Sequence, residues 1–504
     1  MLSRKSFLTF INNIVAYTTG YVGLFFIARF MTNSRYYYGM VSFAVWFVGL
    51  FAFISTVFDS AHVKRISEGR DEGECMGTYI SLKTAATIVM VAVIFIGLMF
   101  WTHILGRGFQ SPLHETIIYI ILLFFVLKQA GKVGVQTFVG KGMIAKAELL
   151  RFMDQTVPTI FIIFIVLTGG QAVELAFTYV AGALLMGLTA IFYLKDIQIK
   201  KPDLKTIKSY WTFGLPSFMS SWVSNLGNKV DGVLIQLFWG STNVTNYATG
   251  VKMAGIITGI SMAVSQVMFP TISKHHADLD WKKIQEVVKK SSRYLSLFVS
   301  PVIVFILFFP ADMIHIMLKD SWLPAVPVVR ILSINAFFMV YSTPFRNIFG
   351  GINKPKLGAK ISIFGNTVNV ILNIILIPDS IFGIPLFGLK EVGAALATLT
   401  AGLIITFSSF IISKREADVF PNYKVILHIL AALIAGLTAT ILKIQVQPII
   451  RFYHLIGYSI LVLGIYLGIL YLINEFKKSD WNFIWNTIDV KQMWKYIKEE
   501  LTGK

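Results

Sequence analysis

Among the chain's 45 Lys and Arg residues, Arg151, Lys229 and Lys252 fall inside long apolar stretches. Asp154 and Asp231 are acids in the same setting. A charge at the centre of a bilayer costs about 2.5 to 3.5 kcal/mol on insertion scales, so such residues face a partner, a cavity or water. Lys229 and Asp231 share the seventh apolar stretch and Lys252 lies in the eighth. If these run outward and back, the 1.5 Å rise per residue puts Asp231 and Lys252 both roughly 8 to 9 Å outside the midplane, where they can pair. Lys229 and Asp231 are about 200° apart around one helix, which leaves Lys229 as the free cation. The chemistry open to this set is binding in a cavity. The bland alternative is that Lys229 snorkels to water while the Asp231–Lys252 pair staples two helices.

Polar stripes run beside these charges. Ser217, Ser221, Ser224 and Asn228 recur at steps of four, three and four on the seventh stretch, and Ser362, Asn366, Asn369 and Asn373 repeat the pattern on the eleventh. Each set shares one helical face, and a polar face in lipid must look into protein or water. For any single Ser or Asn, interhelical packing is as good a reading as ligand contact. Further cations sit near the mouths: Lys128 and Lys132 on one face of the fourth stretch, Arg151 with Asp154 three residues on in the fifth, and Arg29 and Arg330 in the outer thirds of the first and tenth. Arg151 can simply pair with Asp154, and the cations toward the inner ends can serve topology alone.

A transmembrane helix needs about 20 mostly apolar residues. Such stretches lie near 7–30, 39–58, 79–103, 116–138, 147–168, 172–194, 214–238, 246–272, 294–311, 323–345, 358–378, 391–413, 424–443 and 451–474. Lys and Arg stay in the cytoplasm, and with residue 1 inside, the inside segments hold 34 of the 45 basic residues. Eight lie outside: Arg29, Arg35, Arg107, Lys319, Arg330, Lys390, Lys443 and Arg451. An even number of crossings with both termini cytoplasmic follows.

The net charge of +19 is therefore a topology signal. A nucleic-acid partner would want those cations on one folded face, so no nucleic acid is expected. With 55% apolar and 14% charged residues the chain is no soluble globular domain. The single cysteine, Cys75, excludes an internal disulfide framework and a cysteine metal cluster. The first apolar stretch is too long for a signal-peptide core and reads as a retained helix.

A weak repeat links Tyr37-Tyr38-Gly39-Met40-Val41-Ser42-Phe43 with Asn246-Tyr247-Ala248-Thr249-Gly250-Val251-Lys252-Met253. It agrees with an all-α integral membrane protein of about fourteen helices in two six-helix lobes plus two. The expected division is an N-terminal lobe at 1–194, a cytoplasmic connector at 195–213, a C-terminal lobe at 214–413, two further helices at 414–475 and a tail at 476–504. Parallel repeats of this kind are related by an axis along the membrane normal and place their substrate between the halves. In the tail, Trp481, Ile484, Trp485 and Ile488, then Trp494, Ile497 and Leu501, oppose Lys491, Lys495 and Lys498. That is an amphipathic helix lying on the headgroups, or a helix that docks a partner.

The run Arg346-Asn347-Ile348-Phe349-Gly350-Gly351-Ile352-Asn353-Lys354-Pro355-Lys356-Leu357, with Asn366, Asn369, Asn373, Ile377-Pro378 and Gly393-Ala394-Ala395-Leu396-Ala397-Thr398, resembles the pattern of polysaccharide flippases. So do Phe213-Gly214-Leu215-Pro216, Asp231, Tyr247-Ala248 and Phe269-Pro270-Thr271-Ile272-Ser273. These are the O-antigen and capsule exporters of the multidrug/oligosaccharidyl-lipid/polysaccharide superfamily, more distantly similar to the lipid II flippase. The resemblance implies a central cavity, alternating access and a cargo of oligosaccharide on a polyprenyl phosphate or pyrophosphate. Lys229, Lys252, Arg29 and Arg330 would then serve its phosphate, with Asp231 among them, and the Ser and Asn stripes its hydroxyls. It also suggests that the last two helices flank a groove for the lipid tail, against the alternative of plain lipid-facing packing. No cofactor is implied, and coupling to Na⁺, H⁺ or the membrane potential stays open. Expected partners are the lipid-linked oligosaccharide, membrane lipids and other polysaccharide-assembly proteins.

Three rival classes differ in what they need. A glycan polymerase or ligase would carry a sizeable outside loop with its chemistry, and here the outside loops are shorter than about 15 residues. No nucleophile elbow, phosphate loop or metal-ligand cluster is visible either. A multidrug antiporter of the same superfamily needs membrane acids for Na⁺ or H⁺, and only Asp231 and Asp154 offer themselves. A scaffold or channel leaves the two-lobed repeat unexplained.

Overall fold

The structure, a computed structural model, describes residues 2–104, 109, 111–446, 448–476 and 480. Within its helices the side chains of 2–7, 10–11, 216–224, 226, 228, 260, 262–263 and 266–267 lie outside the description. The expected stripe residues Ser217, Ser221, Ser224 and Asn228 are therefore outside the described side chains, and so is the amphipathic tail.

Eleven helical segments among the described residues are long and apolar enough to cross a membrane. They coincide with the second to sixth and the ninth to fourteenth expected spans. Helices α1 (Leu2–Phe30), α8 (Leu204–Trp239) and α9 (Ser241–Ala277) occupy the first, seventh and eighth. The others are α2 (Ser34–Phe51), α3 (Asp59–Ser67), α4 (Glu72–Met99), α5 (Pro112–Gly140), α6 (Ile144–Leu167), α7 (Ala172–Leu194), α10 (Trp281–Phe308), α11 (Pro310–Met317), α12 (Val326–Gly351), α13 (Pro355–Leu376), α14 (Lys390–Ala417), α15 (Lys424–Gln445) and α16 (Phe452–Leu472). A small hairpin, β1 (Ser380–Ile381) and β2 (Ile384–Pro385), pairs antiparallel between α13 and α14.

Local chemistry sets the ends. Asp71 caps α4 by accepting from the Glu74 amide at 2.8 Å, and Asp203 caps α8 through the Lys205 and Thr206 amides. Gln171 and Glu174 form a capping box on α7, and Pro112 opens α5. Gly240 has a φ of 81°, a conformation that glycine adopts freely, and it separates α8 from α9. One expected boundary moves. The stretch expected at 79–103 starts seven residues earlier, because α4 begins at Glu72, and the connection ahead of it holds α3.

Two compact units partition the chain, one built from Ile11–Ala248 with Val370–Lys390, the other from Thr249–Asn369 with Glu391–Tyr496. In the first, α5 packs most extensively against α7, with α6 beside them. Gly131 and Gly134 permit this, since a Cβ at either would come within 2.5 to 2.7 Å of Met186 and Ala190. Small residues at a helix interface are the membrane solution to close packing. In the second unit, α10 packs on α12 and α15, and α15 on α16. Ala431, Ala432, Ala435 and Ala439 make the buried stripe of α15, and Tyr458, Val462, Tyr466 and Leu470 that of α16.

Candidate functional site

The first unit concentrates cations inside its helices. Lys128 and Lys132 lie one turn apart on α5, with Lys132 about 12 Å from the end of that helix at Gly140. Lys128 Nζ meets Asp154 of α6 at 2.5 Å and lies over the Phe124 ring. Lys83 of α4 is 2% exposed and donates to Asp59 of α3 at 2.6 Å and to the Ser55 carbonyl at 3.0 Å. Lys132 lies within electrostatic range of both pairs. Lys229 of α8 is half-buried, within range of Lys128, and its side chain runs along α2 where Gly49 leaves room. A Cβ at residue 49 would stand only 3.1 Å from the Lys229 ammonium.

Four lysines thus share two carboxylates, Asp59 and Asp154. Neither Lys132 nor Lys229 has a hydrogen-bond or ion-pair partner among the described residues. Two uncompensated ammonium groups in an apolar protein are costly unless water or an anion meets them. The wall behind Lys83 is polar and closed. His62 is buried between the hydroxyls of Tyr210 at 3.0 Å and Thr137 at 2.9 Å, stacks on Tyr79, and Tyr79 donates to Asp59 at 2.8 Å.

Several expectations are answered here. Arg151 does not pair with Asp154: Arg151 donates to Glu148 at 2.5 Å, one turn back toward the start of α6, while Asp154 turns toward α5 and Lys128. Glu148 is 3% exposed and also accepts from Asn12 at 2.6 Å. On Asp231 the Tyr247 hydroxyl donates to one carboxylate oxygen and the Asn373 amide to the other. Asn369 is buried and donates to Thr398 at 3.3 Å, and Asn366 is half-buried on the same helix. Arg330 is exposed, with its Nε donating to the Leu307 carbonyl at 3.2 Å. Arg29 closes the last turn of α1, and Lys252 is half-buried on α9 in the second unit.

Sequence reasoning missed Lys83, Asp59 and Glu148. Lys83 was not singled out; its signal was its place within the 79–103 apolar stretch and the helix-capping Asp71 ahead of it. No group of three or more His, Cys, Asp or Glu residues able to hold a metal ion occurs among the described residues.

The comparisons with known proteins bear on what this cluster serves. A profile of the family described as "Polysaccharide biosynthesis protein" matches residues 26–327. An uncharacterized membrane protein of Methanocaldococcus jannaschii, MJ1068, is 27% identical over 52% of this chain, a match that spans about half of that relative's own length. The probable low-salt glycan biosynthesis flippase Agl15 of Haloferax volcanii is 25% identical over 82% of this chain and 85% of its own. Among solved structures, the lipid II flippase MurJ in an inward closed conformation superposes with a TM-score of 0.72, covering 93% of this chain and 98% of that one at 16% identity. That likeness shows a shared fold.

Proposed function

The chain belongs to the polysaccharide biosynthesis protein family, and from that premise we propose that it flips polyprenyl-(pyro)phosphate-linked oligosaccharide across the cytoplasmic membrane by alternating access. The chain is a multi-pass membrane protein. Both termini face the cytoplasm, fourteen helices cross, and the two lobes meet at the 195–213 connector. The observation that carries the reading is the excess of lysine over carboxylate in α4, α5 and α8. Lys132 and Lys229 take the cargo's phosphate, and Lys128 and Lys83 add to the field while holding Asp154 and Asp59. By the charge rule Lys83, Lys128 and Lys132 lie toward the cytoplasmic side, where the cargo is made, and Lys229 stands nearer the midplane. Asp231, paired with Lys252 or held by Tyr247 and Asn373, shapes the α8 wall; Arg29 and Arg330 stand at the outer side. The protein moves its cargo without making or breaking a bond in it, and other polysaccharide-assembly proteins supply and receive that cargo.

The test is transbilayer movement in proteoliposomes of a fluorescent polyprenyl-pyrophosphate oligosaccharide, read by a glycosidase confined to one side. Hydrogen bonds to charged groups contribute about 1.5 to 3 kcal/mol, so Lys132→Gln and Lys229→Gln are each expected to slow movement tenfold or more. Neither variant should unfold at a lower temperature than the parent, because each removes a costly charge. No acceleration by the parent protein, or full rates in both variants, overturns the reading.

A further inference from the structure

A groove on the membrane face of the first unit lies apart from the lysine cluster's own partners. Between α4, α5 and α7 runs a cavity of about 630 Å³. A second cavity of about 490 Å³ continues it between α4 and α5, and Val91 and Val126 line both. The walls are apolar over most of their length, with Ile88 and Ile191 more than half exposed beside them. At one end the character changes. Lys195 stands at the mouth, just past the end of α7, and Lys83 and Gln129 line the groove further in. Gln129 is 7% exposed, spends its amide N–H on the Phe125 carbonyl at 2.7 Å, and leaves its buried Oε1 without a partner. An orphaned buried acceptor calls for a donor from a ligand. Lys83, with donors to Asp59 and the Ser55 carbonyl, keeps a third N–H.

The length selects the occupant. The membrane edge expected at Tyr79 and the groove's far end at Phe95 are sixteen residues apart on α4, about 24 Å along the helix. Half of a hydrocarbon core is about 15 Å, so one acyl chain anchored at that edge stops short of the far end. A chain longer than one leaflet fills it. We propose that this groove seats the prenyl chain of the lipid carrier, with Lys195 and Lys83 adding to the field that draws its phosphate toward Lys132 and Lys229, and with Gln129 Oε1 accepting from a hydroxyl of the attached head. The assignment rests on the flippase reading for the identity of the carrier. It puts the chain on α4 and α5, where the sequence resemblance pointed to the last two helices, so the two placements compete directly.

The experiment uses the full-length protein in nanodiscs with a long-chain polyprenyl phosphate carrying a diazirine at the chain end. Photolysis and peptide mapping are expected to mark Phe95 and 119–123. A phosphatidylglycerol with a diazirine at the end of its acyl chain, at the same mole fraction, should not mark them. Val126→Trp, which narrows the junction of the two cavities from the membrane side, should abolish that labelling and slow flipping tenfold or more with an unchanged unfolding temperature. Val91→Phe takes its place if that variant does not fold. Ile441→Trp, on the exposed face of α15, should change neither readout. Labelling concentrated on α15 and α16, equal labelling by the phospholipid, or normal flipping and labelling in the narrowed groove overturns the assignment. A parent protein that flips cargo with an unlabelled groove rejects the groove alone, whereas one that flips nothing rejects the function.

Discussion

Two charge clusters in this protein use similar residues to opposite ends. In the second unit, Arg293 of α10 holds Glu475 at 2.5 Å and Asp480 at 2.9 Å, and Lys424 of α15 meets Glu475 at 2.6 Å. Glu475 and Asp480 are only 4% and 2% exposed, and Arg293 adds a bond to the Glu475 carbonyl at 2.5 Å. Cations and carboxylates balance there, and every oxygen that matters has a donor. In the first unit four lysines answer two carboxylates, and one oxygen of Asp154 has no partner. A balanced network ties helices together. An unbalanced one leaves ammonium groups without a carboxylate of their own, and in the proposed function the cargo's phosphate meets them.

The comparison breaks most visibly at Arg293. Removing one partner of a buried ion pair strands the other charge at about 3 to 5 kcal/mol, so Arg293→Met should lower the thermal unfolding temperature more than any substitution in the lysine cluster. If differential scanning of the detergent-solubilised protein shows Lys132→Gln to be the more damaging change, the clamp and the binding cluster have been assigned the wrong way round.

Lys128 sharpens the contrast, because it belongs to the unbalanced cluster yet holds a carboxylate. Lys128→Gln leaves Asp154 short of a donor and is expected to cost about 1 to 3 kcal/mol. Adding Asp154→Asn should recover most of it. A double-mutant cycle with no coupling energy would remove the pair from the structure's framework.

The smallest effect is a pH dependence of the clamp. Burial pushes the Glu475 carboxyl up, but the hydrogen bonds from Lys424 and Arg293 overcome it and hold the group below its ordinary value. A carboxylate depressed in the folded state contributes stability in full above its unfolded value, near 4.3, and loses it as pH falls through the folded one. Unfolding temperatures recorded from neutral pH down to about 3 should fall less steeply for Glu475→Gln than for the parent. Parallel curves would show that the carboxyl titrates the same in both states.

Much of the architecture was legible before any coordinates. Apolar runs of bilayer length and their alternating loop charges locate the long helices, because backbone satisfaction in lipid forces each run into a helix by local hydrogen bonds alone. The caps at Asp71, Asp203 and Gln171 are equally local, since their side chains reach amides within three residues. Pair assignments fared differently. Arg151 and Asp154 share a face of α6, and spacing alone cannot tell that Asp154 looks across to α5. The Asn stripe of α13 also went its own way, with Asn369 and Asn373 spent on Thr398 and Asp231.

What the sequence determined by itself is therefore what depends on neighbours along the chain: the membrane class and the long helices. Only the tertiary structure decided which cations remain unpartnered. Lys83 became part of the cluster when α3 brought Asp59 beside it, and Lys132 was left over because Lys128 took Asp154. Partnering is a contest between groups far apart in sequence, settled by distances of a few ångströms in a medium where an unpaired charge is expensive, and no periodicity records its outcome.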